Sequence, residues 1–371
     1  MYVLLLFSAI ALFLTYLSSR GVKFNGLKVG LFLMTMLAAI HYNFGSDYPV
    51  YLDNYKEFIS SQYSFKDVIT GEVVLGDFGG RSVEIGWLLL MFFVKPFGIE
   101  GFYVLVALIS CFEGAVIYQL IKKYVPEKWH VFSLFIYLFT TALYVGSMSG
   151  LRQGTAIAII GCALPLILKK KWLYSLLVVA LAFLFHKSAI VLAPFAFWGF
   201  ISQRRKKLLA LLYLSVVIFL YIFKDNIKII LDFFFAFEDF EAYQHYTERE
   251  IDATYGIGFL LGLIPAFLSL SVIWKGTTSD TSFKIISLAA VSYVLLPIAN
   301  NVALAERIAY YFQYISILAL PYCYASVKDK TVRIVLLALF ILLSLYSYNN
   351  YFHLPERYES TFIYHSLIDL L

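Results

Sequence analysis

An all-α, polytopic membrane bundle of about twelve transmembrane helices is the fold class this sequence predicts, and three observations predict it. Of 371 residues, 61% are hydrophobic and only 14% charged, and the mean hydropathy is +0.80, a balance suited to a chain solvated mainly by lipid. Apolar runs long enough to cross about 30 Å of hydrocarbon recur along the whole sequence. Lys and Arg gather in short clusters between alternate runs, as the positive-inside rule requires.

The spans fall near residues 2 to 18, 29 to 44, 102 to 121, 131 to 147, 152 to 168, 172 to 186, 188 to 202, 208 to 223, 255 to 274, 284 to 299, 306 to 325 and 332 to 348. The first has no charged leader and no clean small-residue cleavage site, and a second span follows at once, so it reads as a retained helix. Arg20, Lys23 and Lys28, Lys122 and Lys123, Lys169 to Lys171, Arg204 to Lys207, Lys275, and Lys328 with Lys330 are the expected cytoplasmic clusters. Outward then lie the loop 45–84, the acidic loop 224–254 and the tail 349–371. The apolar segment 85–97 is too short for a full crossing and reads as a re-entrant or tilted element, which implies a protein-covered or wet cavity around it. From His130 to Leu168 the run is too long for one helix, and the cluster Gly146-Ser-Met-Ser-Gly150 is the expected point of return. Arg152 and Gln153 then open the returning helix, where free backbone N–H groups and a guanidinium suit a shared anion such as phosphate.

No long polar block exists for a soluble domain, so residues 1–371 read as a single membrane domain. The net charge of +5 is accounted for by topology and by contact with anionic membrane lipids, and nucleic acid is not an expected partner. Cys111, Cys162 and Cys323 lie in apolar runs without metal or disulfide spacing and read as core residues. Walker A, dinucleotide-binding, HExxH and CxxC patterns are absent, which removes most support for ATP hydrolysis, hydride transfer and zinc proteolysis. No cofactor is expected; Asp47 is able to hold a divalent metal, but no ligand cluster demands one.

Function is concentrated in a few polar clusters beside apolar runs, because an ionisable group at mid-helix costs roughly 2.5–3.5 kcal/mol unless it faces a partner or water. Asp47 sits in a Gly-Ser-Asp-Tyr turn followed by Tyr48, Tyr51 and Tyr55. It reads either as a helix N-terminal residue within an aromatic belt, or as a carboxylate poised as base beside rings that stack on sugars. Glu84, with Gly86 and Trp87, is a second carboxylate, whose bland alternative is a residue favoured by the helix dipole. His186, Lys187 and Ser188 stand alone between apolar runs; His186 either bonds locally or handles phosphate or a proton. Arg307, Tyr310, Tyr311 and Tyr314 recur at helical spacing, placing a cation and three phenols on one face after Glu306. Two arginines from separate clusters suit a pyrophosphate, and an ion pair with Asp47 or Glu84 is the competing account.

Five motifs in order, Gly45-Ser-Asp-Tyr-Pro-Val-Tyr51, Glu84-Ile-Gly-Trp87, Arg152-Gln-Gly-Thr-Ala156, Phe185-His-Lys-Ser-Ala189 and Glu306-Arg-Ile-Ala-Tyr-Tyr311, resemble the EpsG family of bacterial exopolysaccharide proteins, grouped with the Wzy-type O-antigen polymerases. One departure is His41-Tyr-Asn-Phe44 where the resemblance leads one to expect an arginine, a role left to His41 or Arg81. The resemblance implies a GT-C-like glycosyltransferase bundle in the bacterial cytoplasmic membrane, with its active site facing the exterior. The donor and acceptor would be undecaprenyl-pyrophosphate-linked glycans, with a chain-length regulator as a further partner. On this reading Asp47, Glu84 and His186 are catalytic; Arg152, Arg307, Lys187 and Arg81 hold pyrophosphate; and Tyr48, Tyr51, Gln153, Tyr310 and Tyr311 line the sugar path. The alternatives are a membrane acyltransferase with His186 as base, and a non-enzymatic lipid-linked oligosaccharide transporter. The latter predicts internal repeats, and none is clear here.

Overall fold

A computed structural model describes residues 1–61, 63–76, 83–223, 257–277, 279–295, 303–354, 358 and 360–370. The helices are α1 (Tyr2–Ser19), α2 (Gly26–Ile40), α3 (Asp47–Ser60), α4 (Phe65–Thr70), α5 (Ile85–Val94), α6 (Glu100–Tyr124), α7 (His130–Phe139), α8 (Tyr144–Ser149), α9 (Leu151–Leu168), α10 (Trp172–Phe183), α11 (Lys206–Ile222), α12 (Ile257–Lys275), α13 (Asp280–Ala289), α14 (Val291–Val294), α15 (Ala303–Ala325) and α16 (Lys330–His353). The regular strands among the described residues are β1 (His41–Tyr42) and β2 (His365–Ser366), paired antiparallel with His41 opposite Ser366. The chain is thus all-α, as its apolar runs predict.

Among the described residues four helices, α1, α6, α9 and α16, are long and apolar enough to cross a membrane. Burial separates them. In α6 and α9, 56% and 67% of the apolar window is covered by protein, against 22% and 17% in α1 and α16. The latter two expose side chains such as Leu6, Phe13 and Leu342, which lipid solvates and water would not. Other expected spans coincide with shorter apolar helices, among them α2, α10 and residues Gly262–Lys275 of α12. The segment Lys187–Phe200 winds as a 3-10 helix with Pro194 inside it, where residues 188–202 had been expected to form an α-helix; proline lacks the backbone donor an α-helix needs. The short element over 85–97 is α5 followed by a 3-10 turn, Lys95–Phe97.

The expected span over 131–147 is not one helix. It stops at Phe139, and Thr140–Leu143 turns the chain before α8 begins. There Leu143 N–H donates to Thr140 O (2.9 Å) and Gly146 N–H to Thr141 O (2.7 Å), so the turn satisfies its own backbone. Two successive threonines weaken the helix before the glycine cluster is reached, because β-branching and competing hydroxyls disfavour it. Gly146 lies inside α8, and α9 opens at Leu151 with Arg152 in its first turn, as expected.

The chain divides into two compact units. The first contains Met1–Leu164, Leu173–Ala193 and Tyr348–Leu371. Its core is built where the sequence suggested only an outward loop: α3 buries Tyr48, Tyr51, Leu52, Tyr55 and Phe58, spaced three and four apart, against Trp87, Met91, Phe102 and Leu105 of α5 and α6. Each such ring contributes roughly 1.5–3 kcal/mol on burial. The Tyr55 hydroxyl donates to Val94 O (3.2 Å) and Gly98 O (3.0 Å), and burial pushes this phenol up to about 12. The tail returns over the end of α2, where Tyr364 donates to Leu37 O (2.7 Å) and β2 pairs with β1.

The second unit contains Pro165–Trp172 and Pro194–Ser347. Here α13 packs along α15 and α11 along α12. Trp198 donates to Ser287 Oγ (3.1 Å), Tyr213 to Ser287 O (2.5 Å), and the Phe195 and Phe312 rings meet edge to face at 4.7 Å. The cysteines correct the sequence reading: Cys323 is buried, but Cys111 and Cys162 lie on exposed faces of α6 and α9, where a weakly polar thiol is at home beside lipid.

Candidate functional site

The turn before α3 is shaped by one residue. Gly45 has φ +83°, its N–H donates to Ser360 O of the tail (2.8 Å), and a Cβ there would stand 2.1 Å from Ser149 Oγ. The turn delivers Asp47 to the first position of α3, exposed, with its Oδ1 accepting from the Ser46 hydroxyl at 3.1 Å; the helix N-terminus favours a negative charge at this position. Tyr48, next in sequence, points the other way. It is fully buried, donates to His41 O (3.3 Å) and packs against the rings of His41 and Phe102, so it serves the core rather than a sugar surface. His41 does not stand in for the expected arginine either. It is buried, with Nδ1 against Ala38 O and Nε2 3.0 Å from Met148 O, tying the end of α2 to α8.

Glu84 and Arg152 form the centre of the site. Glu84 precedes α5 in extended conformation and does not cap that helix with its side chain. Its Oε2 instead accepts from Arg152 Nη1 at 2.5 Å, with side chains 11% and 19% exposed respectively, so the pair sits at a partly covered rim. The Arg152 guanidinium lies over the Tyr51 ring, 5.4 Å from its centroid, and Tyr51 in turn lies 5.3 Å from the Trp87 ring. The Trp87 indole N–H is wholly buried and meets no acceptor among the described residues, an uncommon state for a buried donor. Gln153, beside Arg152 in the first turn of α9, is half-buried.

Gly86 brings the histidine turn to this node. Its N–H donates to Leu184 O (2.7 Å), and a Cβ would come within 2.6 Å of that oxygen and 3.0 Å of the Phe185 ring. Two residues on, His186 is buried, with Ser188 N–H (3.3 Å) and Ser188 Oγ (2.8 Å) both directed at its Nδ1. A backbone N–H can only donate, so Nδ1 is the acceptor nitrogen and the neutral ring carries its proton on Nε2. Lys187 is half-buried beside it. Four of the five motifs therefore meet in the first unit, through Tyr51, Glu84 to Trp87, Arg152, and Leu184 to Ser188.

The fifth motif belongs to the second unit and opens α15. Glu306 accepts from the Tyr310 hydroxyl one turn on, Arg307 is half-buried, and Tyr311 is buried. Arg81 and the loop 224–254 lie outside the described residues. Among the described residues no group of three or more His, Cys, Asp or Glu side chains is placed to hold a metal ion.

One titratable residue escaped the sequence reading. Glu113 sits at the middle of α6; its Oε1 is wholly buried without a hydrogen-bond partner among the described residues, and the Ser147 hydroxyl bonds to the carboxylate. A Cβ on Gly154 would stand 2.7 Å from that oxygen, so Glu113 occupies the space left by a glycine two residues after Arg152. The signal was present in the sequence, since a lone carboxylate at the centre of an apolar run is costly wherever it occurs.

Residues 28–366 match the EpsG family model. No curated protein and no solved structure matches the chain.

Proposed function

Because the chain belongs to the EpsG family, a family of Wzy-like polymerases, we propose that it joins undecaprenyl-pyrophosphate-linked oligosaccharide repeats by glycosyl transfer on the outer face of the bacterial cytoplasmic membrane. The observation that carries this reading is the convergence of Glu84, Arg152 and Tyr51 with the His186 turn docked beside them. A glycan leaving a lipid pyrophosphate needs a cation where negative charge develops on the leaving oxygen, and Arg152 offers one fixed by neighbours on two sides.

The Trp87 N–H, without an acceptor among the described residues, is a donor suited to a phosphate or hydroxyl oxygen, and His186 lies in the turn docked beside it. Asp47 and Glu84 are the carboxylates available to take the acceptor's proton. Tyr51 and Gln153 border the first-unit site, while Arg307, Lys187, Tyr310 and Tyr311 are assigned to substrate binding on the strength of their motifs. In the reaction the acceptor hydroxyl oxygen attacks the anomeric carbon of the donor glycan, the bond from that carbon to the pyrophosphate oxygen breaks, and the electron pair leaves with the pyrophosphate. No nucleotide sugar enters.

The test is a gel of surface polysaccharide from cells lacking this protein, complemented with wild type, Asp47→Ala, Arg152→Ala or Arg307→Ala at equal membrane abundance. Collapse of a long ladder to a single repeat is expected for Arg152→Ala. An intact ladder lacking only an acyl substituent would move the assignment to an acyltransferase, and loss of even the single repeat would move it to a transporter.

A further inference from the structure

The Glu84–Arg152 pair poses a chemical difficulty whose resolution assigns the two residues an order of events. A carboxylate bonded to a guanidinium at 2.5 Å has its charge spoken for, and so has the guanidinium. Neither acts at full strength, one as a base and the other as an anion ligand, while they hold each other. We propose that the pair is a substrate-exchanged latch: the donor's pyrophosphate takes Arg152 away from Glu84, and the carboxylate released by that exchange is the base that accepts the proton of the acceptor hydroxyl.

This inference rests on the polymerase reading and makes the base specific. Glu84 is the carboxylate whose freedom depends on donor binding, whereas exposed Asp47 is bonded only to its neighbour Ser46 among the described contacts and would be equally available with the site empty. The exchange is reasonable in charge and geometry. A pyrophosphate offers a guanidinium more than one charge and several acceptor oxygens, and a bidentate contact competes with the Nη1–Oε2 bond. The side chains are 11% and 19% exposed, so the pair is not sealed from an arriving anion. Tyr51 under the guanidinium holds its plane while the partner changes.

The exchange that seats the leaving group is the same event that frees the Glu84 carboxylate for the acceptor's proton. The proton moves from the acceptor hydroxyl to Glu84 as the carbon–oxygen bond to the acceptor forms and the bond to pyrophosphate breaks. When the lipid pyrophosphate departs, Glu84 gives its proton to water and closes on Arg152 again. Coupling base release to donor binding keeps the base masked when no leaving group is present.

The sign of one binding measurement tests this. Full-length protein in lipid nanodiscs is titrated with undecaprenyl pyrophosphate, and the same preparations are assayed for extension of a lipid-linked repeat. A competitor held within the protein lowers apparent affinity by the fraction of time it occupies the site. Glu84→Gln, which removes the competing charge and keeps the shape, is therefore expected to bind the probe about 10-fold more tightly while transfer falls about 100-fold or more. Glu84→Asp, a shorter carboxylate with a weaker grip on Arg152, is expected to bind more tightly than wild type and to retain slow transfer. If Glu84 merely positions Arg152, both variants bind the probe more weakly as their rates fall, and that result overturns the latch. Should Glu84→Gln fail to accumulate in the membrane, Glu84→Asp decides by the same sign. Wild-type protein that neither binds the probe nor extends the repeat would sink the polymerase reading itself; wild type that does both, with variants binding no better, would sink only the latch.

Discussion

Two carboxylates flank the first turn of α9, and the chain disposes of their charge in opposite ways. Glu84 meets Arg152 at the partly exposed rim, whereas Glu113 lies against Gly154 with an oxygen that has no hydrogen-bond partner among the described residues. Residues 152 and 154 are two apart, and at 3.6 residues per turn they face nearly opposite sides of the helix. A pair at a rim can trade partners because an incoming anion replaces what it displaces. A carboxylate enclosed at mid-helix is out of an incoming anion's reach, and the Ser147 hydroxyl and the space at Gly154 hold it. The comparison teaches that polar residues within one turn divide into those paired where solvent still reaches them and those enclosed against the turn that presents them.

Arg152→Ala should break the comparison most severely. It leaves Glu84 without its partner and removes the proposed leaving-group cation, so glycan extension should fall by at least about 100-fold. A fully buried pair broken this way costs about 3–5 kcal/mol, and this largely covered pair should cost somewhat less, read as a drop in the melting temperature of detergent-solubilised protein. Arg152→Lys should recover most of that stability but little of the extension, because an ammonium lacks the planar fork.

Gly154→Ala should come next. Its new Cβ would stand 2.7 Å from both Glu113 Oε1 and Ser147 Cβ, and overpacking of this kind costs about 1–3 kcal/mol. Adding Glu113→Ala should restore part of that loss, and a double-mutant cycle on thermal stability measures how much of the contact the two share. Strict additivity would show that Glu113 does not press on this turn.

Gly45→Ala probes the other wall of the site. A side chain at φ +83° is strained, and its Cβ would collide with Ser149 Oγ. The strain is about 1–2 kcal/mol, and the turn should lose the bond from the residue-45 N–H to Ser360 O, which amide hydrogen exchange at residue 45 would report as lost protection.

The smallest effect belongs to α4. Asp67 closes a capping box with Ser64, and the Ser64 N–H and hydroxyl hold its carboxyl below the usual carboxylate range. A depressed folded value means that the stabilisation is fully present above the ordinary carboxylate pKa of about 4 and disappears as pH falls through the lower folded value. Exchange of the α4 amides should therefore rise only in that acid window, and Asp67→Asn should abolish the pH dependence.

Much of this was legible in the sequence, and the limits follow physical lines. The long helices were readable because lipid demands unbroken apolar stretches, and the start of α9 at Leu151 followed from the glycines ahead of it. That Asp47, Glu84, Arg152 and His186 are candidates was readable because polar groups beside apolar runs need a reason. The partnership of Glu84 with Arg152 was visible only as one account among several, since 68 residues separate them and no local rule links the two. The tyrosines after Asp47 suggested sugar-stacking faces, yet Tyr48 and Tyr55 are core residues, because a helical stripe of rings beside α5 and α6 gains more from burial than from display. Glu113 went unread because it lay inside a run taken whole as a span. The break at Thr140 was hidden because weak helix formers act there together with packing, which the sequence does not display.

The most direct test of the central claim is reconstitution. Purified full-length protein in lipid nanodiscs is supplied with a lipid-linked repeat unit as sole substrate, and glycan length and released undecaprenyl pyrophosphate are followed together. The account predicts a ladder whose growth matches pyrophosphate release bond for bond, without nucleotide sugar, and which vanishes with Arg152→Ala. Wild-type protein that leaves the repeat at single-unit length, while Arg152→Ala behaves identically, would contradict it.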